Sequence, residues 1–339
     1  MGRRRSRPGE LVKKYWFLLG ILFSILLACL TPSFGVTGGP LMPEITVKYG
    51  AIAVIFFMSG LSLNMSDMKK AAFQFRLHGF IQVFTFLIFP LCVQSINIFL
   101  RIFGVNEWVL KGLVTVSVMP PPVSTAVILT KAVGGNEAGA VFNSALGSFL
   151  GIVVTPVSLL IFLGSSTVVP VRSTVSQLAA TVVLPLFAGQ AVRAVGMLRD
   201  SDLPASQLGQ LALLLIIYTT FCDAFTEHDA GMNPVDILVT VLLVVIIQLL
   251  VMYLAWVLSG IPKGFNSFDR VAVAFCCSHK SLTLGIPILR ILFAGYSHFS
   301  SISLPLLVYH PTQIILGSLL VSEMREWLRT HQKRSYLSP

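Results

Sequence analysis

The sequence predicts an all-α membrane protein of ten transmembrane helices in two inverted five-helix repeats, with two discontinuous helices. Three observations predict it. The 339 residues are 55% hydrophobic and 11% charged, with a mean hydropathy of +0.84, whereas soluble domains average roughly 25% charged residues. Apolar runs recur at about the 20-residue length that crosses a hydrocarbon core. Two runs are interrupted by groups that a lipid-facing helix could not carry, Met119-Pro120-Pro121-Pro122-Val123-Ser124-Thr125 and Cys276-Cys277-Ser278-His279-Lys280-Ser281-Leu282-Thr283.

Read between charged or Gly/Pro-rich loops, the spans fall near 15–30, 45–63, 77–100, 109–132 (broken), 138–163, 174–196, 208–225, 236–258, 270–295 (broken) and 300–321. The expected organisation is a basic cytoplasmic tail over 1–14, a first repeat over 15–163, a second over 174–321 and a cytoplasmic tail over 322–339. Tyr15 to Leu30 follows a basic tail but lacks a small-residue cleavage site, so it reads as a retained anchor. With the amino terminus inside, one side collects Arg3, Arg4, Arg5, Arg7, Lys13, Lys14, Lys69, Lys70, Arg76, Lys131, Arg193, Arg199, Lys263, Arg270, Arg325, Arg329, Lys333 and Arg334. Only Lys48, Arg101, Lys111 and Arg172 fall opposite. The positive-inside rule then places both termini in the cytoplasm, requiring an even number of spans. Five spans per half invert the second half relative to the first. The sequon Asn64-Met65-Ser66 falls on the cytoplasmic side and is expected to carry no glycan.

Three successive prolines withdraw three backbone donors and clash with the preceding turn, so a helix passing Lys111 must stop near Met119. From Lys111 to Pro121, and from Arg270 to Lys280, the helical rise is roughly 15 Å, about half of a core roughly 30 Å thick. Both breaks therefore lie near mid-membrane. Paired broken helices at matching depths mark the binding site of a secondary transporter.

A charge in the hydrocarbon costs on the order of 3 kcal/mol, so Lys280 is the foremost candidate for binding substrate or ion. The competing reading starts the ninth span later and leaves His279 and Lys280 at the interface. With half-helix amino termini expected nearby, this amine could exchange a proton during a transport cycle, and neighbouring His279 suits a relay. Ser124, Thr125, Ser281 and Thr283 offer hydroxyls at the breaks, either as helix caps or as ligands. Asn143 and Ser144 lie one turn into the fifth span, where Gly147 and Gly151 allow close approach, so helix-to-helix bonding competes with a ligand role. Gln82, Thr85 and Gln248 are polar groups in flanking spans. Asp223 reads as a mouth residue. His310, Pro311 and Gln313 suggest a kinked tenth span in which Gln313 satisfies freed carbonyls. Cys29, Cys92, Cys222, Cys276 and Cys277 all lie in apolar segments, with no metal-ligand spacing, and are expected as buried free thiols.

Several stretches resemble the sodium/bile acid cotransporter superfamily and, within it, a divergent branch. They are Val36-Thr37-Gly38-Gly39-Pro40-Leu41, Met119 to Ser124, Leu129-Thr130-Lys131-Ala132-Val133-Gly134-Gly135-Asn136-Glu137, Ser278 to Pro287 and Tyr309-His310-Pro311. The resemblance implies the bile acid symporter fold, with a core bundle of spans 3–5 and 8–10, a panel of spans 1, 2, 6 and 7, and substrate at the crossing of spans 4 and 9. Sodium-coupled relatives place an acidic residue and a glutamine in the ninth span, at positions matching Cys276 and Lys280. Their fourth-span serine and asparagine correspond to Thr125 and Ala126, while the fifth-span hydroxyl survives as Ser144. A thiol and an ammonium cannot replace a carboxylate around sodium. Sodium-independent and proton-linked transport is therefore expected, with no cofactor and no metal.

The resemblance also links the branch to calcium homeostasis, to glycan and glycosaminoglycan production in the secretory pathway, and to the Golgi, endoplasmic reticulum or plasma membrane. Expected partners are the lipid bilayer, a small polar or anionic solute and other membrane proteins. The alternative is a non-transporting regulator of calcium entry or trafficking. An intramembrane enzyme lacks a nucleophile and base pair or an H-E-x-x-H motif, a channel lacks a filter or charged ring, and no basic, aromatic-interleaved face suits nucleic acid.

Overall fold

In the computed structural model, the described residues are 8–62, 72–122, 125–163, 176, 179–195, 204–226, 234–261, 265–293 and 298–337. Their regular structure is helical throughout, with no strand. Among the described residues, six helices are long and apolar enough to cross a membrane: Pro43–Leu61, Phe75–Ile102, Glu137–Leu163, Val235–Leu258, Ser267–Leu292 and Ser301–His331. The chain divides into two compact units, one formed by Met1–Ser62 with Ala179–Ala230, the other by Leu63–Leu178 with Gly231–Pro339.

The first unit holds α1 (Pro8–Leu30), α2 (Pro43–Leu61), α7 (Leu184–Ala194) and α8 (Ala205–Thr226). Its tightest crossing is between α2 and α7. A Cβ on Gly60 would strike the Leu186 carbonyl, and one on Gly189 would strike the Phe57 carbonyl, so the two backbones touch where neither residue has a side chain. The last carbonyls of α2 gain partners there: Gln190 donates to Gly60 at 2.6 Å and Arg193 to Leu61. Gly189→Ala should lower thermal stability by about 1–3 kcal/mol through overpacking, measurable as an earlier melt of purified protein. At the opposite end of this unit, Asp223 accepts from the Thr37 amide at 2.6 Å and Tyr218 donates to the Thr31 carbonyl at 3.0 Å.

The second unit holds α3 (Phe75–Ile102), α4 (Glu107–Ser117), α5 (Thr125–Val133), α6 (Glu137–Leu163), α9 (Pro234–Leu258), α10 (Ser267–Ser278), α11 (Leu282–Leu292) and α12 (Phe299–Leu337). The α10–α11 pair is 94% buried, against 33% for the apolar window of α9, which carries an outward apolar face. Glycines let the proline-rich segments approach closely. A Cβ on Gly112 would lie 2.5 Å from the Pro305 ring, one on Gly147 would lie 2.8 Å from Pro121, and one on Gly151 would lie 2.8 Å from Pro120. Gly134, at φ +94°, ends α5 in the left-handed conformation, and the Gly135 amide returns to the Thr130 carbonyl at 2.9 Å. Asn136 then pins two helix starts together. Its Oδ1 caps α6 through Gly139, its Nδ2 donates to Asp269 of α10, and its amide donates to the Phe268 carbonyl.

Several boundaries differ from the sequence expectation. Helix α4 begins at Glu107 rather than near 109, because Asn106 caps it by accepting from the Trp108 amide at 2.9 Å. Helix α1 starts at Pro8, inside the expected tail. Helix α12 runs to Leu337 with no break at 321. Neither glycine nor proline stops it between Ser322 and Leu337, and tertiary contacts hold it: Trp327 packs on Trp256, and Arg325 caps α5 at the Ala132 carbonyl. Cys29 is exposed, not buried. It falls on the outward stripe of α1 with exposed Leu22, Leu26 and Leu30, where a thiol meets an apolar surface as readily as a methylene would. Asn64 and Ser124 lie outside the described residues.

Candidate functional site

The two breaks meet inside the second unit. The prolines at 120, 121 and 122 cannot donate to the carbonyls of Val116, Ser117 and Val118, so α4 must find other donors for its end. Val116 is closed locally by the Met119 amide at 3.2 Å. Ser117 and Met119 receive the Lys280 ammonium, both at 2.8 Å. Val118 receives the Thr155 hydroxyl at 2.8 Å, and Pro120 receives the Ser281 amide at 2.8 Å. Each carbonyl from Val116 to Pro120 thus has a donor.

A third acceptor reaches Lys280 from α3. Residues Phe84–Ile88 form a π-helical turn in which the Phe89 amide bonds to the Phe84 carbonyl, one residue further back than in an α-helix. The Thr85 carbonyl would then look to residue 90, which is proline and has no N–H. Left without a helical donor, it accepts from Lys280 at 3.3 Å, while the Phe89 ring lies 4.1 Å from the ammonium. Lys280 is completely buried within the fold, and it makes no ion pair among the described residues. Its charge faces the carbonyl end of α4, the negative pole of that helix dipole, while the amino end of α11 begins two residues further along the chain at Leu282.

Gln313 of α12 supports the second break as a surrogate peptide group. Its Oε1 accepts from the Lys280 amide at 2.7 Å, and its Nε2 donates to the Lys280 carbonyl at 2.9 Å and to His310 Nδ1 at 3.2 Å. The freed carbonyl it satisfies therefore belongs to the crossover and not to a kink in its own helix. Ser281 caps α11 through the Leu284 amide at 3.3 Å, and the Thr283 hydroxyl meets that serine hydroxyl at 3.1 Å without capping a helix end. His279 is buried with Nε2 against the Gln313 carbonyl at 3.2 Å and Nδ1 against Ser278 Oγ at 3.1 Å. A carbonyl only accepts, so Nε2 carries the ring proton.

The same unit holds polar atoms that no described residue satisfies. Gln82 donates to the Asn143 carbonyl at 3.0 Å and to its side-chain oxygen at 3.3 Å, while Asn143 donates to Gly139 of its own helix at 2.8 Å. This is the helix-to-helix bonding that competed with a ligand role. Yet Gln82 Oε1, Thr85 Oγ1, Thr125 Oγ1, Ser144 Oγ and both amide atoms of Gln248 are buried without a hydrogen-bond partner. The Cys276 thiol lies against Ser144 as a weak neighbour, and its sulfur approaches the Ala140 carbonyl at 3.9 Å. Gly147 sits between the Gln82 amide oxygen and the Pro121 ring. Gly147→Val should therefore wedge α6 away from the break, lowering thermal stability by about 1–3 kcal/mol in a melting assay.

Four contributors were not candidates by sequence. Tyr309 donates to the Ser278 carbonyl at 2.7 Å, Thr155 takes the Val118 carbonyl, and the Ser117 and Met119 carbonyls hold the ammonium. Tyr309 and Thr155 each immediately precede a residue that is notable in sequence, His310 and the helix-internal Pro156.

Helices that break deep inside the fold around a buried charge, within a chain dominated by apolar helices, define a polytopic membrane transporter and not an enzyme. The chain belongs to the SBF-like CPA transporter family, whose sequence profile matches residues 15–326. It is 54% identical over 327 residues to the Sodium/bile acid cotransporter 7 of Rattus norvegicus, covering 96% of each chain, and 51% identical to Sodium/bile acid cotransporter 7-A of Xenopus laevis. It is also 26% identical over 369 residues to Solute carrier RCH1 of Candida albicans, covering 94% of this chain and 90% of that one.

Proposed function

We propose that this protein is a sodium-independent secondary transporter of a polar or anionic solute, in which the Lys280 ammonium fills the place that a coupling cation takes in sodium-driven relatives. The observation that carries this reading is the seat of the ammonium, between the Ser117 and Met119 carbonyls at 2.8 Å and the Thr85 carbonyl at 3.3 Å. Hard oxygen ligands of this kind bind alkali cations, and here the Lys280 amine already occupies them. The Sodium/bile acid cotransporter 7 relatives pair sodium with bile acid in their name, but by the resemblance Cys276 and Lys280 stand where sodium-coupled relatives carry oxygen donors. Unsatisfied Gln82, Thr85, Thr125 and Ser144 would contact the solute.

In this reading ten spans form two inverted repeats with both termini cytoplasmic. The second unit serves as the core bundle and the first as the panel. Residence in the Golgi, endoplasmic reticulum or plasma membrane, with roles in calcium homeostasis and in glycan or glycosaminoglycan synthesis, follows the branch that the sequence resembles. Proton coupling is the natural substitute for sodium. The test is uptake of labelled sulfate, phosphate and taurocholate into proteoliposomes, with and without sodium and with and without a pH gradient. Strong sodium dependence that survives Lys280→Ala would refute the reading.

The complete internal pairing of Lys280 favours a second reading, a non-transporting regulator of calcium entry or membrane trafficking in which the amine is a permanent strut. Lys280→Met separates the two where the protein still folds. A regulator would keep its effect on calcium entry, whereas a transporter would lose uptake.

A further inference from the structure

Arg270 opens α10 at the end of the second unit where α9 stops and α12 leaves its apolar span. Ten residues before Lys280, it lies roughly 15 Å along the helix from mid-membrane, the depth of the lipid head groups. Its guanidinium carbon is 4.7 Å from the Trp256 ring and 5.1 Å from the Trp327 ring. The two indoles meet edge to face at 4.5 Å, and His331 packs on Trp327 at 4.2 Å. Tryptophan is enriched at this depth, and two rings fix the plane of the guanidinium fork.

The charge has no counter-ion among the described residues. Arg270 Nη2 donates to the Trp256 carbonyl at 3.1 Å, Nε is buried with no partner, and no ion pair reaches it among the described residues. Asp269, its neighbour in sequence, is engaged by Asn136 at 2.6 Å and by the amino end of its own helix. Exposed Gly260 leaves the fork open. A Cβ there would stand 3.0 Å from Nη2 and 3.3 Å from the guanidinium carbon, so any other residue would cover the approach. A planar, ring-held guanidinium with unused donors matches a phosphoryl oxyanion, which can take two of its N–H groups at once.

We infer that Arg270, framed by Trp256 and Trp327 and left open by Gly260, is a binding site for a phosphoryl oxyanion presented by a phospholipid head group. This site is independent of the transport reading. The test is native mass spectrometry of the full-length protein titrated with phosphatidic acid in detergent, with excess inorganic phosphate as competitor. Wild-type protein should retain a single phosphatidic acid, Arg270→Gln should weaken retention about tenfold, and inorganic phosphate should not displace the lipid. Gly260→Asp keeps the arginine but sets a carboxylate against it, and should weaken retention as much. Equal retention by wild type and folded Gly260→Asp overturns the site. Displacement by inorganic phosphate overturns the lipid as its occupant and assigns the same chemistry to a free anion.

Discussion

Replacing Lys280 with alanine should lower thermal stability by about 3 kcal/mol and, at the same time, create a sodium response that the wild-type protein lacks. The loss arises because the Ser117, Met119 and Thr85 carbonyls, which now share the ammonium, would be left buried without donors. The gain arises because alanine vacates a space lined by those same hard oxygens. Lys280→Met supplies the control. It fills most of the lysine volume but donates nothing, so it should be destabilised and remain insensitive to sodium. Melting each variant in sodium chloride and in choline chloride decides the matter. If Lys280→Ala melts identically in both salts, the carbonyl cluster is not a vacated cation site.

How much of this was legible in the sequence follows from how local each determinant is. Proline acts on its own turn, so the triple proline gave the end of α4 to within two residues, Ser117 against an expected Met119. The cost of a buried charge pointed to Lys280 for the same reason, since one residue type carries that argument. The partners of Lys280 were beyond reach. Two are backbone carbonyls whose availability depends on which bonds the prolines remove, and the third depends on a π-helical register in α3 that no side chain announces. The carbonyl end of α4, against which the fold sets the ammonium, is likewise a tertiary feature that the residues around Lys280 do not announce. Ser281 shows the opposite case, since a hydroxyl just before Leu282 caps the helix that starts there. Helix α12 outran its expected end because hydropathy falls at Ser322 while helix propensity does not, and Trp327 and Arg325 find tertiary partners. The recognition of the family rested on motifs spread along the chain, and the profile match covers the same length.

Gln313→Leu should be the more disruptive of the substitutions that leave every charge in place, costing about 2–4 kcal/mol. At 2.7 and 2.9 Å, the glutamine amide supplies both the acceptor and the donor that the Lys280 peptide group loses where α10 gives way to α11. Leucine is close to isosteric and apolar, so the change removes three hydrogen bonds, the one to His310 included, without opening a cavity, and it leaves the N–H and C=O of one peptide group buried and unpaired. The ammonium stays charged but its backbone is no longer fixed, so its aim at Ser117 and Met119 should loosen as well. Gln313→Asn tests the geometry separately, since an amide shorter by one methylene cannot reach both groups from the same helix position. Its loss should fall between wild type and leucine. Thermal melts of the three proteins provide the ranking, and a Gln313→Leu protein as stable as wild type would mean that water, rather than this side chain, satisfies the break. The comparison also bears on mechanism. The crossover is also tied to α12 by Tyr309 at the Ser278 carbonyl and to the first break by the Ser281 amide at the Pro120 carbonyl, so losing the Gln313 amide should loosen it without releasing it.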